Sequence, residues 1–173
     1  MKLSLTQNYP HTPHLTQINA NISAKITLEP QMRAITIDLP ATFSFQTRIT
    51  VQVGDLNYGN HLANDAVLRL CHEARIRWLA AHGFTELDAG GAGLIMNEAA
   101  VQYTSQAHHG DELLVELTAA NISRSGFTLF YLISRPTDGS TIAKIQTGMV
   151  CFDYAAQKVS RLPEPLRMIL MPV

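Results

Sequence analysis

The sequence lacks the features that mark several large classes of protein. Its 173 residues carry 13 Lys and Arg against 14 Asp and Glu with no basic block, which argues against binding to nucleic acid or to an anionic membrane. No apolar run approaches the roughly 18 residues of a membrane span, and the first residues hold no signal-peptide core. We therefore expect a cytoplasmic protein whose ligand is small or is carried by a small partner.

Cysteine is also scarce. Cys71 and Cys151 stand within apolar runs and not at the spacing of a metal or redox motif, so we expect both to be buried and expect no metal site. With 46% hydrophobic residues, the chain can bury a core of its own without a disulfide or a structural metal. One main domain is the simplest organisation.

The N-terminal part of the chain differs from the rest. Its first residues are polar, contain Pro10 and Pro13, and show no periodicity, which is typical of an extended arm. Apolar residues then alternate from Ile22 to Leu39, a pattern that suggests a hairpin at the edge of a sheet. We therefore assign residues 1–40 to an arm with this hairpin and residues 41–173 to the main domain.

Hydrophobic periodicity predicts the elements of the main domain. Period-two alternation predicts a strand over Phe45–Gly54, and a period between three and four then predicts one long helix from Leu62 to about His82. Four further strands are predicted, over Leu94–Ser105, Glu112–Ser123, Phe127–Arg135 and Ser140–Tyr154. A single long helix among antiparallel strands implies an α+β fold with the sheet wrapped around the helix. The apolar run Leu166–Met171 is expected to cap the sheet or to pack on a neighbouring subunit.

Small polar residues are concentrated in the connection between the first strand and the helix, from Asp55 to Asp65. Such residues favour turns and helix caps, so one interpretation is purely structural. The other is catalytic, because a helix N-terminus presents free N–H groups that stabilise a developing oxyanion. His61 and Asp65 are four residues apart, and if both were helical a carboxylate would lie beside an imidazole.

The same segment carries a resemblance to a known family. Gly54-Asp55-Leu56-Asn57, Asn60-His61-Leu62-Ala63-Asn64 and His72-Glu73-Ala74-Arg75 resemble the motifs of hot-dog-fold thioesterases of the 4-hydroxybenzoyl-CoA thioesterase type. Further landmarks agree in order and spacing, so that the resemblance covers about Phe45 to Pro163; they are Tyr103, Gly110–Val115, Ser123–Phe127, Gly148–Asp153 and Leu162-Pro163.

The resemblance implies an acyl-CoA thioesterase that needs no cofactor, since CoA is part of the substrate. It also implies a homodimer or a dimer of dimers, with acyl-CoA at the subunit interface. The candidate catalytic residues are Asn57, His61, Asn64 and Asp65, and the candidate substrate-binding residues are Asp55, Tyr58, Gly59 and Arg124. Lys144 is a further candidate contact for CoA phosphates, whereas Glu73 and Arg75 are expected to form structural ion pairs with other strands or subunits.

One departure from the family pattern concerns the mechanism. The second Asp of the family's Asp-x-Asp supplies the catalytic carboxylate, and Asn57 occupies that position here. An amide cannot take a proton from water. The hypothesis is therefore that Asp65, or His61 backed by Asp65, supplies the base, while the backbone N–H of Asn64 binds the thioester carbonyl.

Two other functions remain open on the sequence alone. Thioesterases that act on acyl-ACP carry a similar stretch, although Gly59 stands where they have Asn. A hot-dog protein that binds an acyl group without chemistry would tolerate Asn57. A hot-dog dehydratase is less compatible, because the Pro-Gly-rich turn that follows the His in those enzymes is absent.

Overall fold

The structure, a computed structural model, describes residues 35–171. These residues form two helices, a short 3₁₀ turn and six strands. In chain order they are β1 (Phe45–Thr50), the 3₁₀ turn (Val53–Asp55), α1 (Asn64–Ala81), β2 (Gly93–Tyr103), β3 (Glu112–Ala120), β4 (Gly126–Arg135), β5 (Ser140–Asp153), β6 (Lys158–Val159) and α2 (Glu164–Leu170). Residues 35–40 form no regular element, and the remainder of the hairpin predicted at Ile22–Leu39 lies outside the described residues.

The strands form one antiparallel sheet in the order β1-β3-β4-β5-β2, with β6 beside the end of β5. Helix α1 buries one face in the same hydrophobic core as the inner face of this sheet; its buried residues are Ala66, Val67, Leu70, Cys71, Ala74, Arg75, Trp78 and Leu79. This arrangement confirms the predicted α+β hot-dog fold, because the helix is the element on which the sheet packs.

The C-terminal apolar run forms α2. Leu166 and Leu170 are 0% and 3% exposed and belong to the main core, so α2 caps the sheet of its own chain. Both cysteines are buried and free, as predicted. Within residues 35–171, no helix is long and apolar enough to cross a bilayer.

Of the predicted strand ends, those of the first strand and of β3 differ most from the structure, and both for local reasons. The first strand ends at Thr50 and not at Gly54, because the chain turns through the 3₁₀ segment, where the Gln52 N–H donates to Asp55 Oδ2 at 2.9 Å. Strand β3 ends at Ala120, because Asn121 takes a φ of 52° and turns the chain towards β4. Left-handed backbone of this kind is tolerated best by Gly and Asn.

A β-bulge in β2 determines which side chains face the helix. Met96 pairs with Met149, but the next pair is Glu98 with Gly148, so Asn97 is an extra residue. An extra residue in a strand moves every later side chain of that strand to the opposite face of the sheet. As a result, Tyr103 faces inward, paired with the fully buried Ala143.

Candidate active site

The connection from β1 to α1 is fixed by its own backbone. The N–H of Ala63 donates to the carbonyl oxygen of Asp55 at 2.8 Å, and a β-bridge joins Leu56 to Leu62. The Asp55 carboxylate accepts from the Gln52 N–H, so its clearest role is to hold the turn. These contacts close a loop directly in front of the helix.

Asn57, Gly59 and His61 form a connected group at the tip of this loop. The Gly59 N–H donates to Asn57 Oδ1 at 2.8 Å, and Asn57 Nδ2 lies 3.2 Å from His61 Nδ1. The backbone closes the same turn, because the Asn57 N–H donates to the His61 carbonyl at 2.9 Å and Asn60 takes a φ of 60°. Asn57 thus contacts both neighbours through its side chain.

The start of α1 leaves backbone donors free. Ala63 is the N-cap, with an extended backbone (φ −70°, ψ 150°) and no side-chain cap. The first helix hydrogen bond runs from the Val67 N–H to the Ala63 carbonyl at 3.4 Å. Among residues 35–171, the N–H groups of Asn64 and Asp65 form no hydrogen bond. Together with the helix dipole, these groups favour an anionic oxygen at this point.

A cavity of about 280 Å³ lies beside this helix start. It is lined by His61, Leu62, Asn64, Tyr103, Thr104, Ser105 and Gln106. The Tyr103 hydroxyl donates to the Asn64 carbonyl oxygen at 2.9 Å, which joins the end of β2 to the start of α1. Burial, and then the charge of Asp65, raises the pKa of Tyr103 above its usual 10.0. The hydroxyl therefore stays protonated and remains a donor at neutral pH.

Asp65 is held by an arginine and not by His61. Arg69 Nη1 donates to Asp65 Oδ2 at 2.5 Å, and Arg69 Nη2 lies 3.4 Å from Asp55 Oδ1. His61 precedes the helix, so the i,i+4 relation that would place it beside Asp65 does not apply. The expectation of a His61–Asp65 pair was therefore wrong, because helical spacing needs both residues to be helical.

Three candidate substrate contacts, Tyr58, Arg124 and Lys144, are not among the residues that line the cavity of their own chain. Tyr58 is fully exposed and is not among the lining residues. Arg124 is exposed in the turn between β3 and β4, and Lys144 is half-buried on β5, opposite Gln102. Gly59, in contrast, is close to the site: a Cβ there would lie 3.0 Å from His61 Nε2.

The motif residues further along α1 form ion pairs. Arg75, whose side chain is 7% exposed, lies 2.5 Å from Oε1 of Glu86 in the connection to β2. Glu73 instead pairs with Arg77 one turn along the same helix. Within residues 35–171, no three His, Cys, Asp or Glu side chains come together as a metal site requires.

The residue that the sequence reasoning missed is Tyr103. It was noted only as a landmark of the family pattern, and simple alternation from Leu94 places it on the outer face of β2. The bulge at Asn97 reverses this, and only the pairing with β5 reveals it. An Asn beside Glu in the middle of a strand was the available signal, since such residues are uncommon in regular strands.

Comparison with known proteins agrees with this arrangement. A family model described as "Thioesterase-like superfamily" matches residues 51–170. A protein named 1,4-dihydroxy-2-naphthoyl-CoA hydrolase from Synechocystis sp. is 29% identical over 127 residues, which cover 72% of this chain and 91% of that protein.

Solved structures give the same result. A 1,4-dihydroxy-2-naphthoyl-CoA thioesterase from Synechocystis superposes with a TM-score of 0.67 at 28% identity, covering 73% of this chain and 94% of the other. A thioesterase from Thermus thermophilus, solved with coenzyme A and Zn, has a TM-score of 0.65 at 23% identity, covering 76% of this chain and 100% of the other. At that identity the second likeness shows the fold alone.

Proposed function

Because the chain belongs to the thioesterase-like superfamily, we propose that it hydrolyses acyl-CoA to a free acid and CoA at the cavity beside the start of α1. The observation that carries this proposal is the N–H of Asn64, which makes no hydrogen bond within residues 35–171 and belongs to the first residue of the helix, itself part of the cavity lining. Thioester hydrolysis passes through a tetrahedral oxyanion, and a preorganised backbone donor at a helix start stabilises that charge.

The reaction requires water and a group that takes its proton. The water oxygen bonds to the carbonyl carbon while the carbonyl oxygen accepts a hydrogen bond from the Asn64 N–H; the carbon–sulfur bond then breaks and CoA leaves as the thiol. Asn57 cannot act as the base, because a neutral amide does not accept a proton from water. No cofactor takes part in this scheme.

We assign the proton acceptor to Asp65. Its Oδ2 atom is held by Arg69, whereas Oδ1 has no partner among residues 35–171. The side chain is 77% exposed and therefore accessible to water. Asp65 is not among the residues that line the cavity, but it directly follows Asn64, which is.

The CoA phosphates need cations, and Arg124 is our candidate. Arg161 is next to it in space, since the N–H of Leu162 donates to the Arg124 carbonyl oxygen at 2.8 Å. Both arginines are exposed. Arginine suits phosphate because its planar fork donates two hydrogen bonds at once.

The register of the sheet implies that this cation comes from a second copy of the chain. Gly126, just after Arg124, lies level with Ile95 of β2, because both pair with Val150. Ile95 and Tyr103 pair with Val150 and Ala143, which are seven positions apart on β5, so they are separated by about 23 Å at about 3.3 Å per residue. Arg124 and the cavity of one chain are therefore at opposite ends of the sheet.

A homodimer formed along β2 removes this separation. Within residues 35–171, β2 is an 11-residue strand at the edge of the sheet. Two such edges paired antiparallel about a two-fold axis bring the β3–β4 turn of one subunit to the Tyr103 end of the other. The site is then composite, with the reacting groups from one subunit and Arg124 from the other. The mass of the protein in solution distinguishes a dimer from a dimer of dimers.

The cytoplasm is the proposed location. Cys71 and Cys151 are both free, and free thiols are typical of a reducing compartment. Burial raises the pKa of the Cys71 thiol to about 12, so it is not a nucleophile in this scheme.

Thiol release from a panel of thioesters tests the proposal. We expect purified protein to release CoA from aromatic or aliphatic acyl-CoA, and the panel includes 1,4-dihydroxy-2-naphthoyl-CoA because the Synechocystis relative is named for it. Each acyl group is offered on ACP as well. Faster thiol release from acyl-ACP would show that the substrate is acyl-ACP and not acyl-CoA. Tight binding without any thiol release would indicate a binding protein.

A further inference from the structure

The Asn57 amide has only one orientation that its neighbours allow. A backbone N–H is always a donor, and that of Gly59 points at one end of the amide at 2.8 Å, so this end is the oxygen Oδ1. The reverse orientation would place an NH₂ group against an N–H, two donors at hydrogen-bonding distance. The other end, which is 3.2 Å from His61 Nδ1, is therefore the donor Nδ2.

This orientation in turn determines the tautomer of His61. A neutral imidazole has one N–H and one lone pair, and Nδ1 must hold the lone pair in order to accept from Asn57 Nδ2. The proton is then on Nε2. The only competing contact for a proton on Nδ1 among residues 35–171 is the Leu62 carbonyl at 3.5 Å, which is longer and at the limit of a hydrogen bond.

The Nε2 side of the ring is kept open by Gly59. A Cβ at residue 59 would lie 3.0 Å from Nε2 and 3.2 Å from Asn57 Oδ1, closer than side chains normally pack. His61 also lines the cavity that contains the start of α1. Among residues 35–171, Nε2 has no hydrogen-bond partner, so its N–H is available to a ligand bound beside His61.

We propose that Asn57 is a positioning residue that holds His61 as its Nε2–H tautomer, so that His61 donates a hydrogen bond to the thioester carbonyl oxygen and does not act as the base. This inference rests on the proposed thioesterase function. It gives the oxyanion a second donor beside the Asn64 N–H, and no proton leaves His61 during the reaction. A carboxylate at position 57 would instead hold the opposite tautomer, because it offers His61 Nδ1 an acceptor and not a donor.

Nitrogen NMR of the free protein tests the tautomer without any substrate. Long-range nitrogen–proton correlations distinguish a protonated ring nitrogen from a lone-pair nitrogen, and the Asn57→Asp variant is the matched comparison. An aspartate at position 57 can still accept from the Gly59 N–H but offers His61 an acceptor in place of a donor. Spectra of the His61→Gln variant assign the His61 signals.

At mildly alkaline pH we expect the proton on Nε2 in the wild-type protein and on Nδ1 in Asn57→Asp. A proton on Nδ1 of the wild-type protein, or the same tautomer in both proteins, would overturn the proposal whether or not any thioester is hydrolysed. The result therefore separates this inference from the proposed function, which thiol release tests independently.

Kinetics of two His61 variants test the role of the donor. Glutamine at position 61 can still donate from its amide nitrogen but cannot act as a base, whereas alanine can do neither. We expect His61→Ala to lower kcat by about 10²-fold, as loss of an oxyanion donor does, and His61→Gln to stay within about tenfold of the wild-type protein. An equal loss in both variants would contradict donation by His61.

Discussion

Arg75 Nε, on α1, donates to Glu86 Oε1 at 2.6 Å, and the side chain of Arg75 is almost completely buried. Glu86 also accepts from His72 Nε2 at 2.8 Å, so two turns of the helix hold the connection that leads to β2. A buried guanidinium that loses its carboxylate keeps its desolvation cost without compensation. This pair is therefore a principal element of stability outside the apolar core.

We expect Glu86→Ala to lower the free energy of unfolding by about 3 kcal/mol, in the range found when one partner of a buried pair is removed. Glu112→Ala is the control, because Glu112 pairs with Arg48 and both side chains are more than half exposed. We expect Glu112→Ala to lower the free energy of unfolding by less than about 1 kcal/mol. If urea unfolding gave the same decrease in the free energy of unfolding for both variants, the Arg75–Glu86 pair would stabilise the fold no more than an exposed ion pair does.

The same pair predicts a dependence of stability on pH. Burial by itself raises the pKa of Glu86, but Arg75 and His72 outweigh it and hold the pKa below its usual 4.5. The ionised form is therefore favoured in the fold. The stabilisation is present above pH 4.5 and is lost as the pH falls through the lower pKa of the folded state. Glu86→Gln should flatten this acid limb in thermal unfolding.

Tyr103→Phe tests whether the end of β2 positions the start of α1. Without the hydroxyl, the Asn64 carbonyl loses its 2.9 Å hydrogen bond and the first turn of α1 is held less firmly. We expect kcat/KM to fall by about 5- to 10-fold, which corresponds to about 1 kcal/mol. Tyr154→Phe, an exposed tyrosine that does not line this cavity, should leave the rate unchanged.

Asp65→Asn tests the proposed base. Removal of a general base lowers kcat by about 10²-fold or more. Glu73→Gln is the control, because Glu73 forms the same kind of exposed i,i+4 ion pair on the same helix, with Arg77 in place of Arg69. If kcat fell equally in both variants, the effect would belong to the helix and not to proton transfer.

Mixed dimers test the composite site. A subunit that carries His61→Ala and a subunit that carries Arg124→Ala form one site that has lost both groups and one site that has lost neither, provided that Arg124 acts across the interface. We expect the heterodimer to recover about half the wild-type activity, far above either parent. Activity that stays at the level of the parents would place Arg124 and His61 in the same subunit's site.

Sequence periodicity predicted the order and type of the main elements because the strands β1 to β5 each turn one face to the common core and α1 turns one stripe to it. It could not predict where the bulge in β2 reverses the faces, since that depends on the pairing of Glu98 with Gly148, 50 residues away in the chain. The inward position of Tyr103 follows from that pairing.

The site was predicted in part. The segment from Asp55 to Asp65 does form the start of α1 and borders a cavity. The pairing within it depended on where the helix begins, and a start at Asn64 places His61 beside Asn57 and Asp65 beside Arg69. Hydrophobic periodicity gives the core face of a helix but not its first residue, because polar cap positions carry no apolar pattern.

The central claim is that the backbone N–H of Asn64 stabilises the oxyanion of a thioester, and Asn64→Pro removes that one atom group. Proline is well suited to the first position of a helix, and the residue before it, Ala63, already has the extended backbone that proline demands. Asn64→Ala is the matched control, because it changes the side chain and keeps the N–H. Thermal unfolding of each variant verifies the fold.

The deciding measurement is kcat for the best acyl-CoA substrate in these two variants. We expect Asn64→Pro to lose about 10²- to 10³-fold, as enzymes do when an oxyanion donor is removed, with an unfolding temperature close to that of the wild-type protein. Asn64→Ala should remain within a few-fold of it. An Asn64→Pro variant that folds and turns over at the wild-type rate would contradict the claim.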